Sequence, residues 1–433
     1  MFRPTGFADL AGKRVGIFGY GLEGRTAHQR ISDIAASVVI VDDEPVAPEV
    51  TVTNVGGLDA LLTCDVVLKS PGIPRRRPDV LDLELHGVSV TSALNLWLHE
   101  VDLSRVVAIT GTKGKSTTTA LITFFLHCID ERAHRLGNIG QPPYDPSLDF
   151  GSDWLILEVS SFQCTDITVS PGVVVVTSLG ADHIDWHGSL EQYHDDKLSL
   201  TRHTSPHTTL VPDVATFRQI LELLGGELVF VQSEPTQLAE QLGLLGAHSH
   251  SNVALALEAV SRLTGRTVAQ IRTAVEAKAN TFVPLRGRLS LVRTIESGSR
   301  VISFVDDGLA TSALPACAAL EVFAGQDVAL IVGGYDRGVD YTPLVEALIA
   351  RQELTNVFAT GPAGERIADL LRSSGFSHVH FVSGLEAAVE LSVASLDRGG
   401  VVLFSPAAPS FDQYKNWEER SEHFTTLANN FRF

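Results

Sequence analysis

The chain has 433 residues, 44% of them apolar and 19% charged, with a formal net charge of −18. That length exceeds what one compact core holds, so two or three globular domains are expected. The acidic balance argues against nonspecific binding to nucleic acid or to an anionic membrane. Cys64, Cys128, Cys164 and Cys317 show no CxxC pair and no metal spacing, and read as reduced thiols. No signal-peptide core and no run of 18 apolar residues is present, so a soluble cytoplasmic protein without membrane insertion is expected.

The first predicted strand, Lys13 to Phe18, runs into Gly19-Tyr20-Gly21-Leu22-Glu23-Gly24 and then a helical stretch, Arg25 to Ile34. A GxGxxG turn between strand and helix suits a pyrophosphate, and the run Val38 to Val41 ends at Asp42-Asp43, where a ribose-binding acid is expected. This pattern alone also fits a nicotinamide-dependent oxidoreductase. The next strand, Asp65 to Lys69, turns through Ser70-Pro71-Gly72, and the domain closes within about 30 residues, too short for the second half of a dinucleotide fold. A nucleoside diphosphate ligand is therefore preferred over NAD. This first domain is expected to span residues 1–97.

The central domain, expected over 98–283, opens with the apolar run Val106 to Ile109 followed by TGTKGKST, Thr110 to Thr117. Strand, glycine turn, Lys-Ser and helix together make a phosphate-cradling loop. Only Thr112 and Lys113 separate Gly111 from Gly114, a shortened form of the common phosphate-loop spacing. Lys115 would offset β/γ-phosphate charge, and Ser116 or Thr117 would reach a magnesium ion. Downstream come the turn Gly137-Asn138-Ile139-Gly140 and a strand, Trp154 to Leu157, ending at Glu158. A carboxylate one strand away from a phosphate loop is well placed for Mg²⁺. The strand Val173 to Val176 leads to Ala181-Asp182-His183-Ile184-Asp185-Trp186-His187, where His183 is a candidate for metal or phosphate. Lys197 reads from its surroundings as an ordinary helix-surface lysine. His248 and His250 have HxH spacing, but the segment is read instead as the N-cap region of a helix over Val253 to Leu263, with Asn252 near the nucleotide.

From Pro284 a third domain is expected to residue 433. Four apolar strands (Val301 to Val305, Val328 to Val332, Val357 to Thr360, Val401 to Phe404) each end in small or polar residues, the pattern of another doubly wound domain. The fold class is thus α/β in three domains: Rossmann-like, P-loop-type ATPase and Rossmann-like. Ligand contacts belong at the strand ends.

In this order TGTKGKSTTT, GNIG, LEVSSFQ, DHIDWHG…Y…DKLSL, GGYDRGVDY and SPAAPSFDQYKNWEER resemble the Mur ligases, and among them the MurD-type glutamate-adding enzymes, over essentially the whole chain. The resemblance implies peptidoglycan-precursor synthesis. ATP would be held by Gly111, Thr112, Lys113, Gly114, Lys115, Ser116 and Thr117, with Asn252, Arg286 and Asp307 at adenine, phosphate and ribose. UDP-N-acetylmuramoyl-L-alanine would meet Leu22, Glu23, Gly24, Asp42, Asp43, Ser70 and Asn138. Mg²⁺ would be held by Ser116, Glu158 and His183, and Lys197 matches a lysine that is carbamylated in the family and helps position a second magnesium. The catalytic group would be Lys115, Glu158, His183 and Lys197, and a monomer is implied.

The family's third-domain motifs place the incoming glutamate at Thr311, Arg337, Ser410 and Trp417. Here Leu309 stands where the family usually has lysine, Arg337 replaces a lysine, and Trp417 replaces a phenylalanine. Asn95-Leu96 replaces a Glu-Leu pair, and the segment from His203 to Gly246 is abbreviated. The altered pocket resembles the subgroup that adds L-glutamate and relies on a separate epimerase. L-glutamate is therefore favoured over D-glutamate. An oxidoreductase would leave TGTKGKST and Glu158 unused.

Overall fold

Runs of valine, isoleucine and leucine with no polar alternation build strands covered on both faces, as parallel sheets require. The computed structural model of the chain describes residues 2–432 and contains three such sheets. In the first, β1 (Arg14–Phe18), β2 (Ser37–Asp42), β3 (Thr51–Val52), β4 (Val66–Lys69) and β5 (Ser89–Thr91) lie in the order β3-β2-β1-β4-β5, all parallel. The strand order reverses between β1 and β4, so their carboxyl ends open the crevice where such sheets bind ligands.

The second sheet holds β6 (Val106–Thr110), β7 (Ala133–Gly137), β8 (Trp154–Glu158), β9 (Val173–Val176), β10 (Thr208–Pro212) and β11 (Glu227–Val231), in the order β11-β10-β9-β6-β8-β7. It too is parallel throughout, and its switch point lies between β6 and β9. The phosphate-loop sequence leaves β6 there.

The third sheet contains β12 (Ser290–Ser297), β13 (Arg300–Asp306), β14 (Val328–Gly333), β15 (Thr355–Thr360), β16 (Val379–Phe381) and β17 (Gly400–Phe404). Its order is β12-β13-β17-β14-β15-β16, with only the β12–β13 pair antiparallel. Two of its six strands escape an apolar-run reading: β12 is an edge strand with mixed exposure, and β16 has three residues.

The chain divides into two compact units, one of Met1–Pro235 with His250–Lys278 and one of Thr236–Ser249 with Ala279–Phe433. The first two sheets share a single apolar cluster, in which Phe7, Leu10, Leu94 and Trp97 join Leu136, Tyr144, Leu155 and Leu157. Burying such side chains stabilises by roughly 1.5–3 kcal/mol each. Buried polar ties reinforce the join: Lys69 Nζ lies 2.8 Å from Asp166, with both side chains sealed from solvent. In the second unit, β13, β14, β15 and β17 are packed between two apolar layers, one including Leu320, Leu344 and Ile367, the other Leu385, Val389 and Phe424.

One helix departs from expectation. It runs from Ala247 to Thr264, so Asn252 lies inside it and caps nothing. Among the described residues, no helix is long and apolar enough to cross a membrane.

Candidate active site

The loop after β6 owes its shape to its two glycines. Gly111 has φ 139° and Gly114 φ 88°, backbone regions that side chains disfavour. A Cβ on Gly111 would lie 2.2 Å from Thr177 Oγ1, and one on Gly114 would lie 2.7 Å from Asn252 Oδ1. The second contact places Asn252, buried in its helix, directly against the loop. The end of β9 braces the turn from the other side. Thr112 N donates to Ser178 O at 2.9 Å, Lys113 N to Ser178 Oγ at 2.8 Å, and Thr177 Oγ1 to Lys113 O at 2.5 Å.

Two lysines converge on one carbonyl of this loop. Lys115 Nζ donates to Gly111 O at 2.9 Å and Lys197 Nζ donates to the same oxygen at 3.0 Å. Lys197 is 1% exposed, and its ammonium lies 4.8 Å over the Tyr193 ring. Burial, with Lys115 close by, brings Lys197 down to about 7 from the ordinary lysine range. Tyr193 in turn shares a 2.9 Å hydrogen bond with Thr112 Oγ1. Lys197 is therefore an interior group, not the surface lysine its helix pattern suggests. Lys113 is exposed, 3.6 Å from Asp182. Ser116 is buried at the helix start, with Thr117 partly exposed beside it.

Glu158, at the end of β8, is 1% exposed. Asn138 Nδ2 donates to its Oε1 at 2.9 Å, while its Oε2 is buried without a hydrogen-bond partner. A buried, unsatisfied carboxylate oxygen is costly unless a cation or proton meets it. His183 is half exposed and packs on Phe162 at 4.8 Å between ring centroids. Its φ of 49° is rare for a residue with a side chain and marks an over-determined loop. No cluster of three His, Cys, Asp or Glu side chains able to hold a metal occurs among the described residues. That includes His248 and His250.

At the β1–β4 switch point, Ser70 Oγ donates to Gly19 O at 2.7 Å. A Cβ on Gly24 would lie 2.0 Å from Gly19 O, so the helix can approach its strand only with glycine there. Leu22 is exposed at the helix start. Three of the acidic candidates are occupied. Asp42 Oδ2 accepts from Tyr20 N at 2.6 Å, and Asp43 pairs with Arg77 at 2.5 and 2.7 Å. Glu23 accepts from Gln163 Nε2 at 2.7 Å and from Tyr144 at 3.2 Å, and burial raises its pKa. It ties the first sheet to the second.

The remaining candidates lie in the second unit. Asp307 accepts from Ser405 Oγ at 2.7 Å, and burial raises its carboxyl to about 7. Arg286 is exposed and pairs with Glu422. A Cβ on Gly287 would lie 2.5 Å from the Trp417 ring, so that ring covers the loop after Arg286. Arg337 is exposed, Thr311 partly exposed and Ser410 buried. The strand-end loops are gathered by a residue given no role above, Arg420. It is 4% exposed and donates to the carbonyls of Gly308 (3.3 Å), Gly333 (3.2 Å), Ala408 (2.8 Å) and Pro409 (3.2 Å). Burial lowers it to about 10. His187 and Asp196 were likewise missed. Both are buried, and His187 Nδ1 lies 2.7 Å from Asp196. Their only signal in the sequence was membership of the DWHG and DK motifs.

A phosphate loop with two inward lysines, a buried carboxylate and three nucleotide-type sheets define an ATP-using ligase architecture. The Mur ligase middle domain matches residues 109–216. The chain is 37% identical to a protein of Salinispora tropica named UDP-N-acetylmuramoyl-L-alanine–L-glutamate ligase, covering 96% of this chain and 97% of that one. A Xanthomonas euvesicatoria protein of the same name is 33% identical over 97% and 96% of the two chains. In fold the chain is similar to the MurF ligase of Thermotoga maritima, solved in complex with ADP, with TM-score 0.53, 16% identity and coverage of 99% and 98%. The chain belongs to the Mur ligase family.

Proposed function

We propose that this protein is an ATP-dependent ligase that joins L-glutamate to UDP-N-acetylmuramoyl-L-alanine, yielding ADP and phosphate, in peptidoglycan-precursor synthesis. The observation that carries this reading is the pair of lysines on Gly111 O in a glycine-built phosphate loop, within a chain that matches L-glutamate ligases nearly end to end. D-glutamate is the less favoured amino acid, since the names of these relatives specify the L form. A nicotinamide oxidoreductase would leave this loop without a task.

A carboxylate does not react with an amine until its oxygen is made a leaving group. In the proposed reaction the alanyl carboxylate oxygen attacks the ATP γ-phosphorus, the bond to ADP breaks, and an acyl phosphate forms. The glutamate amine then attacks the acyl carbon, loses a proton, and phosphate departs as the amide forms. Lys115 offsets charge developing on the transferred phosphoryl group, a role that oriented cations fill in water-poor sites. Loop N–H groups at the start of the helix Lys115–Cys128 orient the phosphates. Asn252 would border the nucleotide, and Arg286 and Asp307 would contact its phosphate and ribose. Leu22, Gly24 and Ser70 would line the UDP-sugar crevice, while Glu23, Asp42 and Asp43 would shape it through their internal bonds. Thr311, Arg337, Ser410 and Trp417 would hold glutamate.

The orphaned Glu158 Oε2 and buried Ser116 fit a Mg²⁺ ion, which takes one or two protein oxygens and completes its shell with phosphate and water. Glu158 and Ser116, with His183 beside them, would hold it, a carbamylated Lys197 would help position a second magnesium ion, and the ions would supply charge neutralisation at the phosphates. Burial favours the neutral Lys197 amine, the form that adds CO₂ with loss of a proton. A carbamate signal from ¹³C-bicarbonate that vanishes in Lys197→Arg would support this, and no signal in the wild type would refute it. The product would pass to a separate epimerase if the wall contains D-glutamate. Labelling the alanyl carboxylate with ¹⁸O tests the route. One label should appear in the released phosphate, and unlabelled phosphate would contradict an acyl phosphate.

A further inference from the structure

Two motifs singled out in the sequence, DHIDWHG and DK, contain side chains that the proposed chemistry does not use: Trp186, His187 and Asp196. All three bear on the loop Ser70–Arg77 that follows β4, or on the helices beside it. Arg76 grips the Asp196 carboxylate with both guanidinium nitrogens, Nη1 to Oδ2 at 2.9 Å and Nη2 to Oδ1 at 2.7 Å. Asp196 Oδ1 also accepts from Gln192 Nε2 at 3.0 Å, and Oδ2 bonds His187 Nδ1 at 2.7 Å. Four hydrogen bonds fill the acceptor capacity of a carboxylate. Asp196 thus has no oxygen left for metal or substrate.

His187 is equally committed. With Nδ1–H given to Asp196, its Nε2 accepts from Ser161 Oγ at 3.0 Å. Ser161 opens the short helix Ser161–Cys164, three residues beyond Glu158. The His187 ring stacks on Phe162 at 5.7 Å, and Phe162 also touches Trp186 at 4.6 Å and His183 at 4.8 Å. Trp186 Nε1 donates to Gly72 O at 3.2 Å, a second tie to the same loop. On the helix Leu190–Leu198, neighbouring residues point about 100° apart. With Asp196 held toward Arg76, Lys197 is turned toward Gly111 O.

We propose that Asp196 is a positioning residue that locks the crevice loop Ser70–Arg77 to the short helix Ile184–His187, which follows His183, and to the helix Leu190–Leu198, which bears Lys197. The two sides of the reaction, UDP-sugar binding and phosphoryl transfer, then hold one geometry. A guanidinium is suited to this because its planar fork matches both carboxylate oxygens. The kinetic part of the proposal rests on the ligase reading above; the structural part does not.

The test uses the full chain with Arg76→Gln, a half-exposed site where substitution spares the core, and with Asp196→Asn. Arg76→Gln should raise KM for UDP-N-acetylmuramoyl-L-alanine about tenfold, because a displaced positioning loop weakens alignment, and leave KM for ATP within twofold. Amide hydrogen exchange over residues 184–198 should speed up in both variants. Combining the two changes should add little to Asp196→Asn alone, as members of one network do. Unchanged exchange over 184–198 would overturn the proposal whatever the kinetics. A lower kcat with unaltered KM would also overturn it, since that reports only fewer active molecules. If the wild type fails to ligate, the functional reading fails while the exchange result still decides the role of Asp196.

Discussion

The loop after β6 and the strand ends of the third sheet both gather cationic side chains around backbone carbonyls, with opposite results. At Gly111 two lysine amines share one oxygen, and burial next to Lys115 favours the neutral form of one of them, Lys197. In the third sheet a single arginine serves the four carbonyls of Gly308, Gly333, Ala408 and Pro409. Its two Nη nitrogens are used internally, while Nε is buried without a partner. In the proposed reading the first arrangement would receive an anionic ligand, and the second fixes the shape of the strand-end loops. In the proposed reading Lys115 serves the chemistry, whereas Arg420 holds the frame.

Removing one group from each site should separate these roles. Lys115→Ala is expected to lower kcat by about 10³-fold, since removing one preorganised transition-state donor costs roughly 2.7–4 kcal/mol. Its thermal midpoint should stay close to the wild type. Phosphate release and calorimetry measure the two, and retained turnover would erase the contrast. Arg420→Ala should show the reverse balance. Stranding four buried carbonyl contacts costs on the order of 3 kcal/mol, which calorimetry would read as a lower midpoint. A variant as stable as the wild type would remove Arg420 from the frame.

A smaller effect comes from Asp307. Its folded-state pKa is raised to about 7 by burial, whereas an unfolded aspartate titrates near 3.8. Between these values the folded chain keeps a proton that the unfolded chain releases, so this contribution to stability declines as pH rises from about 4 through 7. Asp307→Asn should therefore gain stability relative to the wild type at pH 8, and the gain should shrink toward pH 5. A gain independent of pH would contradict the assignment.

The phosphate loop was legible because its chemistry is local: glycine, lysine and serine at fixed offsets between a strand and a helix. The strand-end sites were legible for the same reason, as Glu158 and Ser70 follow apolar runs directly. What the sequence concealed was set by tertiary partners. Glu23 stands in a nucleotide-type turn, yet its carboxylate serves Gln163 and Tyr144, more than a hundred residues away. Lys197 sits in a polar helix pattern, yet its amine is buried against Gly111 O and the Tyr193 ring. Asn252 was expected before its helix; the helix starts earlier, at Ala247, and the side chain meets Gly114 from within it. Arg420 ended a recognised motif, but nothing in its neighbours shows that four carbonyls converge on it.

The amino acid added is the central claim, and in the proposed reading Leu309, Arg337 and Trp417 would set it, not the phosphate loop. Purified protein should be given ATP, Mg²⁺, UDP-N-acetylmuramoyl-L-alanine and either L- or D-glutamate, with the amide product measured by mass. The account predicts ATP-dependent product with L-glutamate and little or none with D-glutamate. Product formed preferentially from D-glutamate would contradict it.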